Sequence, residues 1–239
     1  MKIDFSNSVV VVAGGTGGLG RAVSLAFLSE GAKVVVTFRN DQELVSLKES
    51  AGVNQSALEG YKVDVTDEAA TAEFINGILA THGRLDSVVN AVGGYAGGVK
   101  LWEMESRVLD QMLALNLRAG YALARAVLPA MLKAGKGSIV NVCAKAALDH
   151  GAGAGAYAAS KAAALALMDS LAGDTKGTGV RVNSILPSII DTAANRRAMP
   201  NARFSEWPKP EDIASVILFL CSDYAKVIHG AAVPVYGDS

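Results

Sequence analysis

Short runs of valine, isoleucine and leucine recur along this chain, and stretches with helical patterning fill the intervals. That alternation limits the fold more than any other feature. Val9–Ala13, Lys33–Phe38, Ala57–Val63, Leu85–Ala91, Gly137–Cys143, Val180–Leu186 and Ala232–Val235 read as strands. Most are apolar at consecutive positions, the pattern of strands covered on both faces. Gly18–Glu30, Asp41–Ser50, Asp67–Thr81, Ser106–Ala134, Gly155–Thr175 and Pro210–Ser222 read as helices. The longest is expected to break near Gly120, because glycine is a poor interior helix residue. Strand-helix alternation of this kind implies right-handed crossovers and an α/β fold, a doubly wound parallel sheet of about seven strands with helices on both faces. No linker or repeat interrupts the pattern, so residues 1–239 read as one domain, with 192–207 a small excursion over the expected site.

A two-faced sheet needs abundant apolar sequence, and 51% hydrophobic residues supply it. A formal charge of −1 without a basic run argues against nucleic acid or an anionic membrane as partner. Cys143 and Cys221 lie in apolar segments and read as buried free thiols of a reducing compartment. No Cys/His spacing suits a metal. Without a signal-peptide pattern or a bilayer-length apolar run, a cytoplasmic protein acting on a small molecule is expected.

Ala13-Gly14-Gly15-Thr16-Gly17-Gly18-Leu19-Gly20 follows the first strand and opens the first helix. In a Rossmann-type sheet this is where a dinucleotide lays its pyrophosphate on a helix N-terminus. An NAD site usually has an acid at the end of the second strand. Here Thr37-Phe38-Arg39-Asn40 offers Arg39, whose guanidinium can pair with a 2′-phosphate. NADP(H) is therefore the expected cofactor, with NAD(H) possible. Asp41 reads as the cap of the following helix.

Tyr157 and Lys161 stand four apart in Ala156-Tyr157-Ala158-Ala159-Ser160-Lys161 and share a helix face. An ammonium beside a phenol is expected to lower the phenol's pKa and tune it as a proton donor. Tyr95 and Trp207 could line an aromatic substrate slot. Arg196 and Arg197 read as a solvated pair, and His82, His150 and His229 as loop or surface residues.

Taken together, these pieces resemble the short-chain dehydrogenase/reductase family over essentially the whole chain. The resemblance implies that Asp64 and Val65, in Val63-Asp64-Val65-Thr66, contact adenine. It places Asn90 and Ala91 at a cofactor-contacting motif, and Pro187, Ile190 and Thr192 beside the nicotinamide. It implies that Asn116 supports a proton relay with Tyr157 and Lys161, and that the protein forms a homodimer or homotetramer. One departure stands out. Ala144 occupies the position where most members carry a serine that hydrogen-bonds the reacting carbonyl. Losing such a donor commonly costs orders of magnitude in rate. Segments around Tyr95, Ala144 and Asn195–Trp207 are similar to the quinonoid dihydropteridine reductases, a branch that also lacks the serine and reduces a reactive imine-like ring. An ordinary carbonyl or 3-ketoacyl reductase, and a non-catalytic NADP-binding sensor or structural subunit, are the alternative readings.

Overall fold

The computed structural model describes residues 3–239. Seven parallel strands form one sheet: β1 (Val9–Ala13), β2 (Lys33–Phe38), β3 (Leu58–Lys62), β4 (Ser87–Asn90), β5 (Gly137–Val142), β6 (Val180–Pro187) and β7 (Ala232–Val235). Their order is β3-β2-β1-β4-β5-β6-β7. The order reverses between β1 and β4, whose register sets Ala13 opposite Asn90. Crevices for ligands open at such a reversal, outside the carboxyl ends of the strands.

The described residues form eight α-helices: α1 (Gly18–Ser29), α2 (Asp41–Ala51), α3 (Glu68–His82), α4 (Ser106–Leu113), α5 (Ala119–Ala134), α6 (Gly155–Asp174), α7 (Ala193–Ala198) and α8 (Pro210–Cys221). Successive strand residues point to opposite faces. Val10 and Val12 pack with Phe27 of α1, Leu47 of α2 and Ile217 of α8. Val9 and Val11 pack with Ile75 of α3, Val127 of α5 and Met168 of α6. The consecutive valines of β1 thus feed two cores, which is why that strand is apolar throughout. The edge strand β3 carries exposed Tyr61 and Lys62.

Three strand expectations match their bounds, and the others differ by one or two residues at an end. The long helix breaks differently from expectation. A π-helical segment at Ala114–Arg118 joins α4 to α5, and Gly120 lies inside α5. A Cβ on Gly120 would stand 3.2 Å from both Asn141 Oδ1 and Asn90 Nδ2, so the glycine serves close packing and not helix termination. The cap of α2 is Asn40, whose side chain accepts from the Gln42 N–H. Asp41 is instead the first helical residue and pairs with Lys62 at 2.7 Å. In the excursion, Thr192 caps α7 by accepting from the Asn195 N–H.

Candidate functional site

The glycines after β1 form a cradle that side chains would fill. Gly14 has φ +70°, and a Cβ on Gly20 would fall 2.1 Å from the Gly14 carbonyl oxygen. A Cβ on Gly18 would meet the Thr192 methyl at 2.8 Å. The N-cap of α1 is Gly17, which offers no side-chain acceptor. The first N–H groups of α1 are therefore left to solvent or an anion. This suits a pyrophosphate, and the two cavities flanking the cradle suit the ends of a dinucleotide.

The cavity on the β2 side of the cradle has a volume of about 390 Å³ and includes Gly14, Thr16, Arg39, Glu43, Val65 and Ala91 in its walls. Arg39 is exposed and lies 4.0 Å from Asp64, at the limit of an ion pair. Asp64 accepts from the N–H and hydroxyl of Thr66, which together with the Arg39 charge hold its carboxyl below its ordinary pKa. Thr16 donates its hydroxyl to Glu43 at 2.9 Å. Sequence reading missed Glu43, because an acid in the first turn of a helix already has a reason to be there. Asn90, next to Ala91 in the chain, is not among the wall residues of either cavity and is committed to the scaffold. Its Nδ2 donates to Asn141 at 2.8 Å and its Oδ1 accepts from the Val92 N–H.

The second cavity holds about 200 Å³ and brings together Leu19, Gly93, Ala144, Tyr157, Lys161 and Ile190, with Ala91 and Pro187 also on its walls. Lys161 is 4% exposed and donates to the Val142 carbonyl at 2.9 Å. Burial lowers its pKa to about 8, against a smaller opposing effect from Cys143. Tyr157 stands edge-to-face against Tyr95, with centroids 5.0 Å apart. Burial pushes its phenol up to about 12, with Cys143 and Tyr95 contributing in the same direction. This corrects the expectation of a lowered phenol. The two side chains share α6, but the ammonium donates to Val142, and desolvation of the phenol decides its proton affinity. The buried Cys143 thiol donates to the Lys161 carbonyl at 3.1 Å.

Asn116 sits in the π-helical segment and clasps the loop after β4. Its Oδ1 accepts from the Gly94 N–H, and its Nδ2 donates to the Gly94 carbonyl, both at 3.0 Å. Nδ2 also lies 2.9 Å from Ser160 Oγ, which donates to the Tyr157 carbonyl at 2.7 Å. A Cβ on Gly93 would be 2.9 Å from Asn116 Oδ1 and 3.2 Å from Lys161 Nζ, so both side chains converge on that glycine. Ser160 was not anticipated, although a buried serine between Tyr157 and Lys161 was the available signal.

Trp207 is 7% exposed, packs on Phe204 and lines neither cavity. Tyr95 is 66% exposed. Arg196 is not simply solvated. It forms a two-bond pair with Asp191 at 2.5 and 2.7 Å and lies over the Phe204 ring. His229 is also built in: Nδ1 accepts from the Val182 N–H and Nε2 donates to the Ala172 carbonyl. Among the described residues, no group of three His, Cys, Asp or Glu could hold a metal, and no helix is long and apolar enough to cross a membrane.

The sequence pattern of the short chain dehydrogenases matches residues 8–203. A 3-oxoacyl-[acyl-carrier-protein] reductase of Thermotoga maritima is 30% identical over 237 residues, 96% of each chain. A D-threitol dehydrogenase of Mycolicibacterium smegmatis is 31% identical over 99% of this chain and 96% of its own. The solved structure of ElxO with NADP bound superposes with a TM-score of 0.91 at 26% identity, covering 96% of this chain and 97% of ElxO.

Proposed function

This chain belongs to the short-chain dehydrogenase family, and from that premise we propose that it is an NADPH-preferring reductase acting on a reactive C=N or C=O centre. The observation that carries the reading is the convergence of Tyr157, Lys161 and Ala144 on one cavity. A proton donor is present there, and the side chain at 144 has no hydroxyl to assist a developing oxyanion. A substrate that is already electrophilic needs that assistance least. Bound NADPH would supply the hydride.

The rest follows from this chain's own groups. The glycine cradle at Gly14, Gly18 and Gly20 receives the pyrophosphate, with Thr16 and Leu19 beside it. Arg39 takes the 2′-phosphate, while Asp64, Val65, Asn90 and Ala91 shape the adenosine side. Pro187, Ile190 and Thr192 flank the nicotinamide, and Lys161 holds its ribose. A phenol raised to about 12 keeps its proton at neutral pH until a substrate atom becomes basic enough to take it. Lys161 is mostly charged below pH about 8 and stabilises the phenolate left behind. Asn116 fixes the Gly93–Gly94 loop and offers an acceptor to a proton relay. Tyr95, packed on Tyr157, supplies an aromatic wall for the substrate. Homodimer or homotetramer formation is supported by Leu109, Tyr121 and Leu132, apolar and exposed on α4 and α5.

A second reading is an ordinary 3-oxoacyl or carbonyl reductase. The identity to the Thermotoga maritima reductase over 96% of both chains favours it. Steady-state assays with a quinonoid pterin, a ketone and a β-ketoacyl thioester separate the two, since preference for either carbonyl substrate over the pterin rejects the first. Tyr157→Phe should lower kcat by ~100-fold or more while NADPH binding persists; a fully active variant removes the donor role. Arg39→Ala should weaken NADPH by roughly tenfold or more and spare NADH. Equal wild-type affinities would reject the cofactor preference.

A further inference from the structure

Part of the wall of the larger cavity, which Arg39 also lines, has the wrong polarity for a phosphate. Thr16 is 9% exposed, and its single hydroxyl proton is directed to Glu43 Oε2 at 2.9 Å. What the pair presents to the cavity is hydroxyl lone pairs and carboxylate oxygens, which are acceptors. Such a surface receives the hydroxyl protons of a ribose and repels a dianion. Glu43 is not occupied with its own helix. It is the third residue of α2, where a glutamate often reaches back to the cap N–H. Here Oε2 instead accepts from a threonine 27 residues upstream. The N-cap side chain is Asn40's own, bonded to the Gln42 N–H. On the same cavity, Arg39 presents an exposed guanidinium that stands 4.0 Å from the Asp64 carboxylate. That contact is too weak to hold it from a phosphate.

We propose that Glu43 is a specificity-determining residue that opposes Arg39. Its carboxylate, carried through Thr16, penalises a 2′-phosphate and favours a 2′-hydroxyl, so the site reads both cofactors and Glu43 sets the ratio between them. This rests on assigning the cavity to the adenosine end of NAD(P). It is separate from the question of which cofactor the wild type favours.

The experiment is calorimetric titration of NADPH, NADH, 2′,5′-ADP and 5′-AMP into the wild type, Glu43→Gln, Arg39→Ala and the double variant. Glu43 is exposed, so the substitution leaves the core untouched. Glu43→Gln is expected to bind NADPH and 2′,5′-ADP on the order of tenfold tighter. NADH and 5′-AMP should stay within about twofold or weaken, because an amide still bonds Thr16 but carries no charge. The gain should shrink as salt is raised. If Arg39→Ala loses 2′,5′-ADP while Glu43→Gln gains none, the role of Glu43 is overturned and the cofactor assignment stands. If neither substitution changes either adenosine phosphate, both fall.

Discussion

Replacing Lys161 with methionine should change how stability depends on pH, even in protein that holds no ligand. The ammonium is buried, and its pKa falls from the ordinary 10.5 to about 8. Each tenfold change in proton affinity is worth about 1.36 kcal/mol, so the charged form of Lys161 weakens the folded state by roughly 3 kcal/mol at neutral pH. Between pH 8 and 10.5 the unfolded chain carries the proton and the folded chain does not. Stability then rises with pH, because the unfolded state binds more protons. From pH 7 to 9.5 the wild type should gain about 2 kcal/mol relative to Lys161→Met. The lost hydrogen bond to Val142 shifts the variant's baseline at every pH and does not enter this difference. Tyr157 does not interfere, since its linkage begins above pH 10, where an unfolded tyrosine loses its proton and a phenol near 12 keeps it. Urea melts of both proteins at half-unit steps across this range provide the test. Parallel stability profiles would refute a buried, proton-poor lysine, and with it the desolvated cavity that Tyr157 shares.

Ala144→Ser should raise kcat/KM for a plain ketone about tenfold or more, by adding a donor where charge develops, and leave a quinonoid pterin unchanged or slightly slower; equal gains for both substrates would reject the pre-activated substrate. Gly20→Ala should abolish NADPH binding and lower the melting temperature, because its Cβ meets the Gly14 carbonyl oxygen at 2.1 Å; a titration that still saturates would show the cradle to be pliable. Gly77→Ala, exposed within α3 with nothing near its Cβ, should stabilise by about 0.5–1 kcal/mol in a thermal or urea melt and leave kinetics untouched.

The sheet was legible because its signal is local. The bounds of β1, β2 and β7 follow from runs of residues that have only to be apolar and bounded. The ends of β4 were not legible, since Leu85 and Ala91 are apolar but the pairing with β1 and β5 runs only from Ser87 to Asn90. In the site, the glycine cradle, Arg39, Tyr157 and Lys161 announce themselves by residue type and spacing, and Asn116 only through the family resemblance. Three things did not. Glu43 reaches Thr16 only once α2 is docked. The proton affinity of Tyr157 is raised by its burial, which i, i+4 spacing does not reveal. Trp207 has the composition of a substrate wall, yet Phe204 and the surrounding chain bury it.

The π-helical turn at Ala114–Arg118 also acts as a phase shifter. An α-helix advances about 100° per residue, so one extra residue in a turn rotates everything after it by that angle relative to an uninterrupted helix. The faces of α4 and α5 are therefore set out of step on a nearly continuous rod. Met112 before the turn meets Asn116 within it, and Val127 and Met131 after it remain aimed at the sheet. Removing a single residue from this stretch could leave the helix intact while rotating either the clasp on Gly94 or the core face of α5 out of place. Position along the rod is thus less important here than angle around it, and this segment, Asn116 apart, should tolerate substitution better than a change in length.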